Sequence, residues 1–154
     1  EPGPGAREAA ALIAAAARAM LSVGVHAATD VTGFGLLGHL AELLDASAAA
    51  ATVWLEAAPL HDGVLELIAR GVYAGGLRNN RDFLLERLGD VDRDDPRLLA
   101  LFDPQTSGGL LMAVAAERHG ALVAALEAEG CQAWTVGEVE AADAGTIAVR
   151  EAPE

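Results

Sequence analysis

Two glycine-studded segments constrain this chain more than any other feature. One runs Asp30-Val31-Thr32-Gly33-Phe34-Gly35-Leu36-Leu37-Gly38-His39. The other runs Phe102-Asp103-Pro104-Gln105-Thr106-Ser107-Gly108-Gly109-Leu110-Leu111. Glycine loses more conformational freedom on folding than any other residue, so such runs are expected where the backbone needs left-handed angles or a close approach. The first segment sets a carboxylate and a hydroxyl just ahead of a helix start. The second is a Pro-then-Gly-Gly turn feeding an apolar strand. Both are candidate site loops.

The residues around them alternate between helical and extended patterns. Leu12, Ile13, Ala16, Ala17, Met20 and Leu21 predict an amphipathic helix over 7–21, ended by Gly24. A strand is expected from Val25 to Val31, then a helix over 35–46 carrying Leu36, Leu37, Leu40, Leu43 and Leu44, with Thr32 as its N-cap. Thr52 to Glu56 alternates as a strand, and a helix over 61–70 closes at Gly71. Residues 72–82, with Gly75-Gly76 and Asn79-Asn80, read as a loop, and 83–88 as a short helix. The acidic stretch 90–95 reads as a loop, and Asp95-Pro96 as a helix start. The rest predicts a strand at 110–114, a helix over 116–129 closed by Gly130, and strands at 132–139 and 146–150 joined by a turn at 143–145. The order mixes helices and strands without strict alternation. It predicts an α+β fold with one mixed sheet and helices packed on it, its closing strand-helix-strand-strand run resembling half of a ferredoxin-like unit.

With 154 residues, 53% of them hydrophobic, the chain can bury a sizeable single core. Its formal net charge is −13 and it contains no lysine. Nucleic acid and anionic membrane surfaces are therefore excluded as expected partners, because both call for basic clusters. No apolar run reaches the length of a membrane-spanning helix. One cysteine, Cys131, rules out a disulfide within the chain and makes a reducing cytoplasm the default. The Glu-Pro-Gly-Pro-Gly opening predicts a linker over 1–6 and a C-terminal portion of a longer protein; the tail 151–154 is expected to fray.

Asp30, at the end of a strand and ahead of a helix, has two readings. It caps the helix together with Thr32, or it contributes to a Mg²⁺ site, since Mg²⁺ takes one or two carboxylates with substrate phosphates and waters. Backbone N–H groups from Gly33 to Gly35 would then face a phosphate at the helix N-terminus. From local sequence, capping is the favoured reading. Ser107-Gly108-Gly109 is either an anion-binding nest or a tight turn, and the turn is favoured. No Walker loop fits. His26, His39, His61 and His119 are scattered, without zinc-ligand spacing. His39 reads as a packing or capping residue, and Cys131 as a buried small hydrophobe.

The same residues carry a family resemblance. Thr29 through Leu40 resembles the signature of the selenophosphate synthetase (selenide, water dikinase) family. Asp103 through Leu111 resembles its second signature, and Gly75-Gly76 followed by Asn79 resembles a segment between them. The resemblance covers about 7–150. It implies a reaction in which ATP, selenide and water give selenophosphate, AMP and phosphate with Mg²⁺. It also implies a two-part architecture. An N-terminal domain dimerises and carries the catalytic Cys or selenocysteine, an essential Lys and most ATP contacts. A C-terminal three-layer α/β/α domain packs on it, and this chain resembles that second part. No catalytic residue is therefore expected here, the missing N-terminal domain is the expected partner, and a homodimer is expected for the full-length enzyme. The resemblance implies that Asp30 is a Mg²⁺ ligand, which displaces the capping reading. Thr32, Gly33, Gly35, Ser107, Gly108 and Gly109 are phosphate-proximal candidates. The alternatives are another ATP-dependent enzyme of the aminoimidazole ribonucleotide synthetase superfamily and a non-catalytic interaction domain.

Overall fold

The computed structural model describes residues 4–153, with side chains from residue 9 onward. The elements run α1 (Pro4–Val23), β1 (Ala27–Asp30), α2 (Gly35–Ser47), β2 (Ala50–Trp54), α3 (Val64–Ala69), α4 (Gly75–Leu84), a 3-10 turn (Leu85–Arg87), α5 (Pro96–Ala100), β3 (Leu110–Ala113), α6 (Ala116–Ala128), β4 (Gly137–Glu140) and β5 (Ile147–Arg150). The chain is α+β, as expected, with mixed strand pairing. It divides into two compact units: residues up to Asp30 with Gly109–Ala133, and Val31–Gly108 with Trp134 to the C-terminus.

In the first unit β1 and β3 form an antiparallel pair that sets Ala27 against Ala113 and Asp30 against Leu110. The alanine-rich α1 lets α6 approach closely. Ala19, Leu122 and Leu126 form the buried centre, with Val23, Val25, Met112, Val114 and Cys131 packed around it. Gly24 ends α1 as expected: its φ is +80° and its N–H is donated to the Met20 carbonyl at 2.9 Å. Gly130, at φ +76°, closes α6 in the same way. Helix α1 begins at Pro4, so residues 4–6, expected to be linker, are helical; residues 1–3 lie outside the described residues.

In the second unit β2 is the central strand, antiparallel to β4 and parallel to β5. Ala50 to Val53 are buried, and the Thr52 hydroxyl donates to Glu140 Oε1 at 2.5 Å, which satisfies the buried polar group. Helix α4 packs against α2 and α5, and α3 against α5. Phe102, Leu37, Leu44, Leu77, Leu84, Leu98 and Ile147 are the large side chains fully enclosed. Asp95 caps α5 as expected: its carboxylate accepts the Arg97 N–H at 2.7 Å.

Three expectations are corrected. The strands form two hydrogen-bonded sheets rather than one: β3 pairs with β1, whereas β4 and β5 both flank β2. The closing run β3-α6-β4-β5 therefore does not pair with itself as half of a ferredoxin-like unit. Residues 75–82, expected as loop, belong to α4, whose buried positions Leu77 and Leu84 are two turns apart. Finally, the strand expected over 132–139 is confined to Gly137–Glu140. Gly137 lies so close to the Thr52 carbonyl that any Cβ there would collide with it.

Candidate functional site

Asp30 ends β1 in the first unit, exposed, its carboxylate without a hydrogen-bond or ion-pair partner among the described residues. In the second unit the rest of the first glycine segment is joined to the second segment through the backbone. The Val31 carbonyl accepts the Gly108 N–H at 2.9 Å. The Thr32 carbonyl accepts two, from Gln105 at 2.9 Å and from Gly35 at 3.0 Å. One turn into α2, the Leu37 N–H is donated to the Leu101 carbonyl at 3.2 Å. Segments some seventy residues apart in sequence are thus one hydrogen-bonded structure.

The glycines make this junction possible. Gly35 sits at φ +69°, and a Cβ there would lie 2.7 Å from the Phe102 carbonyl carbon and 2.8 Å from the Leu101 oxygen. A Cβ on Gly108 would stand 2.8 Å from the Val31 oxygen. A Cβ on Gly76, at the start of α4, would meet the Pro104 ring at 2.7 Å. Each glycine answers a neighbour contributed by another segment.

The α2 N-terminus is capped differently from the expectation. Phe34 occupies the cap position without a side-chain cap bond, and the Thr32 hydroxyl does not reach the helix amides. It lies instead 3.0 Å from His39 Nε2. The Phe34 backbone N–H, which can only donate, also points at Nε2 at 3.4 Å. That leaves the ring proton on Nδ1, 3.1 Å from Glu42 Oε2. His39, only 8% exposed, therefore serves as the packing and capping residue expected of it, one turn inside the helix.

Asn80 is the residue that sequence reasoning missed. From the middle of α4 its Nδ2 donates to the Gly33 carbonyl at 3.0 Å and to the Phe102 carbonyl at 2.9 Å, so it holds both segments at once. The sequence signal for it is Gly75-Gly76 followed by Asn79-Asn80, in which Asn79 is exposed and Asn80 is half-buried. In the second segment, burial pushes the Asp103 carboxyl above its usual value, while a hydrogen bond from Gln105 at 3.0 Å pulls it the other way. Ser107 is exposed, and Gly109, at φ +87°, opens into β3. Among the described residues no group of three His, Cys, Asp or Glu side chains is arranged to hold a metal. Cys131 is half-buried against the first unit's core, its Sγ 3.8 Å from the Leu12 carbonyl.

The selenide, water dikinase of Carboxydothermus hydrogenoformans is 45% identical over 125 residues, covering 79% of this chain and 36% of that protein. The corresponding protein of Pelobacter propionicus is 46% identical over 128 residues, covering 80% and 36%. That of Trichlorobacter lovleyi is 47% identical over 100 residues, covering 65% and 29%. The chain spans about a third of the length of these relatives. Among solved structures, hydrogenase maturation protein HypE in complex with ATP superposes with a TM-score of 0.55 at 25% identity, over 88% of this chain and 35% of that one. Residues 4–150 match the family described as AIR synthase related protein, C-terminal domain, and the chain belongs to that family.

Proposed function

We propose that this chain is the C-terminal domain of a selenophosphate synthetase, which converts ATP, selenide and water into selenophosphate, AMP and phosphate. The observation that carries this reading is the union of the two signature segments, through the Val31, Thr32 and Asn80 hydrogen bonds, in a chain 45% identical to a selenide, water dikinase. The ATP-bound HypE likeness supports nucleotide chemistry in the superfamily and keeps a second reading, another ATP-dependent member, at a lower identity of 25%.

Asp30 is the residue we assign to Mg²⁺. A hard cation takes an exposed carboxylate that no protein cation already holds, and Asp30 offers one. The family resemblance implies that the other ligands would be phosphate oxygens, waters and aspartates of the N-terminal domain. Bound there, Mg²⁺ would neutralise phosphate charge and orient the phosphates. Thr32, Gly33, Gly35, Ser107, Gly108 and Gly109 are the phosphate-proximal set. The N–H groups of Gly35 and Gly108 are already donated within the protein, to the Thr32 and Val31 carbonyls. The catalytic Cys or selenocysteine and the Lys belong to the N-terminal domain, on which this one packs as a three-layer α/β/α structure in a cytoplasmic homodimer.

The test is selenide-dependent AMP formation by the full-length protein. Asp30→Asn is expected to lower it by about 100-fold or more. Wild-type turnover by that variant removes Asp30 from the metal site. Turnover of ATP that is indifferent to selenide favours the second reading.

A further inference from the structure

Asn80 does something that neither family membership nor the proposed metal site assigns. Its side-chain amide faces two backbone carbonyls, Gly33 O at 3.0 Å and Phe102 O at 2.9 Å. Carbonyl oxygens only accept, so the donor end of the amide must point inward, and both N–H groups are used. The two acceptors lie 47 and 22 residues away in sequence. One belongs to the turn after Asp30, the other to the start of the second glycine segment. Asn80 projects from α4, a regular helix anchored on either side by the fully buried Leu77 and Leu84, so the amide is presented by a rigid element. The N–H end of the same peptide, that of Phe34, points at His39 Nε2 at 3.4 Å, and Asn80 holds its carbonyl end; at Gly33 itself neither a left-handed φ nor a neighbouring segment fixes the backbone.

We propose that Asn80 is a positioning residue for the nucleotide-handling turn Thr32–Gly35, fixing the Gly33 peptide against the Phe102–Ser107 segment. The inference deepens the proposed function and rests on it for the identity of the reaction. The amide does not touch substrate. It acts through the orientation of the Gly33 peptide, three residues beyond Asp30 in the chain.

The experiment uses the full-length protein with Asn80→Ala, which removes both donors, and Asn80→Asp, which keeps the shape but turns acceptors toward acceptors. Three quantities are read: kcat and KM for ATP in selenide-dependent AMP formation, the thermal midpoint, and backbone hydrogen exchange over 31–36 and 101–106. Asn80→Ala is expected to lower kcat by about 10–100-fold at temperatures well below its midpoint. It should also speed exchange in both peptides, while leaving exchange over 116–128 as in wild type. Asn80→Asp should be affected at least as much. Wild-type kcat, or a loss that vanishes on cooling below the midpoint, overturns the positioning role; so does unchanged exchange over 31–36. If Asn80→Asp fails to fold, Asn80→Ala decides alone. If the wild-type protein forms no AMP from ATP and selenide, the functional reading has failed. The exchange measurement then decides the clamp by itself: faster exchange in both peptides upholds it and unchanged exchange refutes it.

Discussion

Gly35→Ala is the sharpest test of the idea that the glycines serve the junction. At φ +69° an alanine carries a left-handed penalty of about 1–2 kcal/mol. Its Cβ would also stand 2.7 Å from the Phe102 carbonyl carbon, 2.8 Å from the Leu101 oxygen and 2.9 Å from the Phe102 oxygen. All three are backbone atoms, so no rotamer change relieves the contact and the Leu101–Phe102 backbone must retreat. Forced repacking of that kind costs about 1–3 kcal/mol. The retreat also strains the hydrogen bonds that the Leu101 and Phe102 carbonyls accept from Leu37 and Asn80. Gly63→Ala is the control in the same unit: φ is +83°, but nothing lies within 4 Å of its Cβ, so only the backbone penalty applies. Gly35→Ala should therefore be less stable than Gly63→Ala by about 1–3 kcal/mol in urea unfolding. For a protein of this size that is a further fall in thermal midpoint of roughly 2–12 °C. Equal losses in the two variants would refute the close-approach argument and leave left-handed geometry as the sole reason for glycine at 35.

Two more outcomes follow from the same geometry. Asp103→Asn tests the raised Asp103 carboxyl: a group that holds its proton more tightly folded than unfolded lowers stability as pH rises from its ordinary 3.8 through the higher folded value. The variant should thus unfold at higher urea than wild type at pH 7 and match it at pH 3; a variant weaker at pH 7 would show that the Gln105 hydrogen bond outweighs burial. Gly33→Ala should leave the urea midpoint within about 0.5 kcal/mol of wild type, since neither φ nor a neighbour demands glycine, yet reduce selenide-dependent AMP formation.

Much of the fold was legible because the apolar period was clean. Helix α2 has Leu37, Leu40 and Leu44 on its buried face, and α6 has Leu122 and Leu126, so their extents were predicted to within a few residues. Helix α4 was not legible, for a reason visible at Asn80. The inward stripe runs Leu77, Asn80, Leu84, so the position that would have completed the apolar period carries an amide whose value is its two donors. Gly75-Gly76 then reads as a break, although Gly76 is there to let Pro104 approach. Thr32 misled in a similar way. Its residue type and position suit a cap, but a buried histidine one turn into the helix takes the hydroxyl instead. Sheet membership was also out of reach, because β3 and β4 are consecutive strands and nothing local says that one pairs with β1 and the other with β2.

The glycines of the signature segments separate into those the fold explains and two, Gly33 and Gly75, at which neither φ nor a neighbour demands glycine. Gly35, Gly76 and Gly108 admit the backbone or ring of another segment, and a Cβ on Gly38 would meet Phe34 Cβ at 2.5 Å. Gly109 has its left-handed φ at the entrance to β3. Each of these would be required by any protein using this junction, whatever it catalyses, which is why a glycine pattern alone identifies an architecture before it identifies a reaction. Gly33 has neither excuse, yet its carbonyl is the one that Asn80 holds. Gly35, Gly76 and Gly108 therefore answer to the packing of the two segments against each other and against α4.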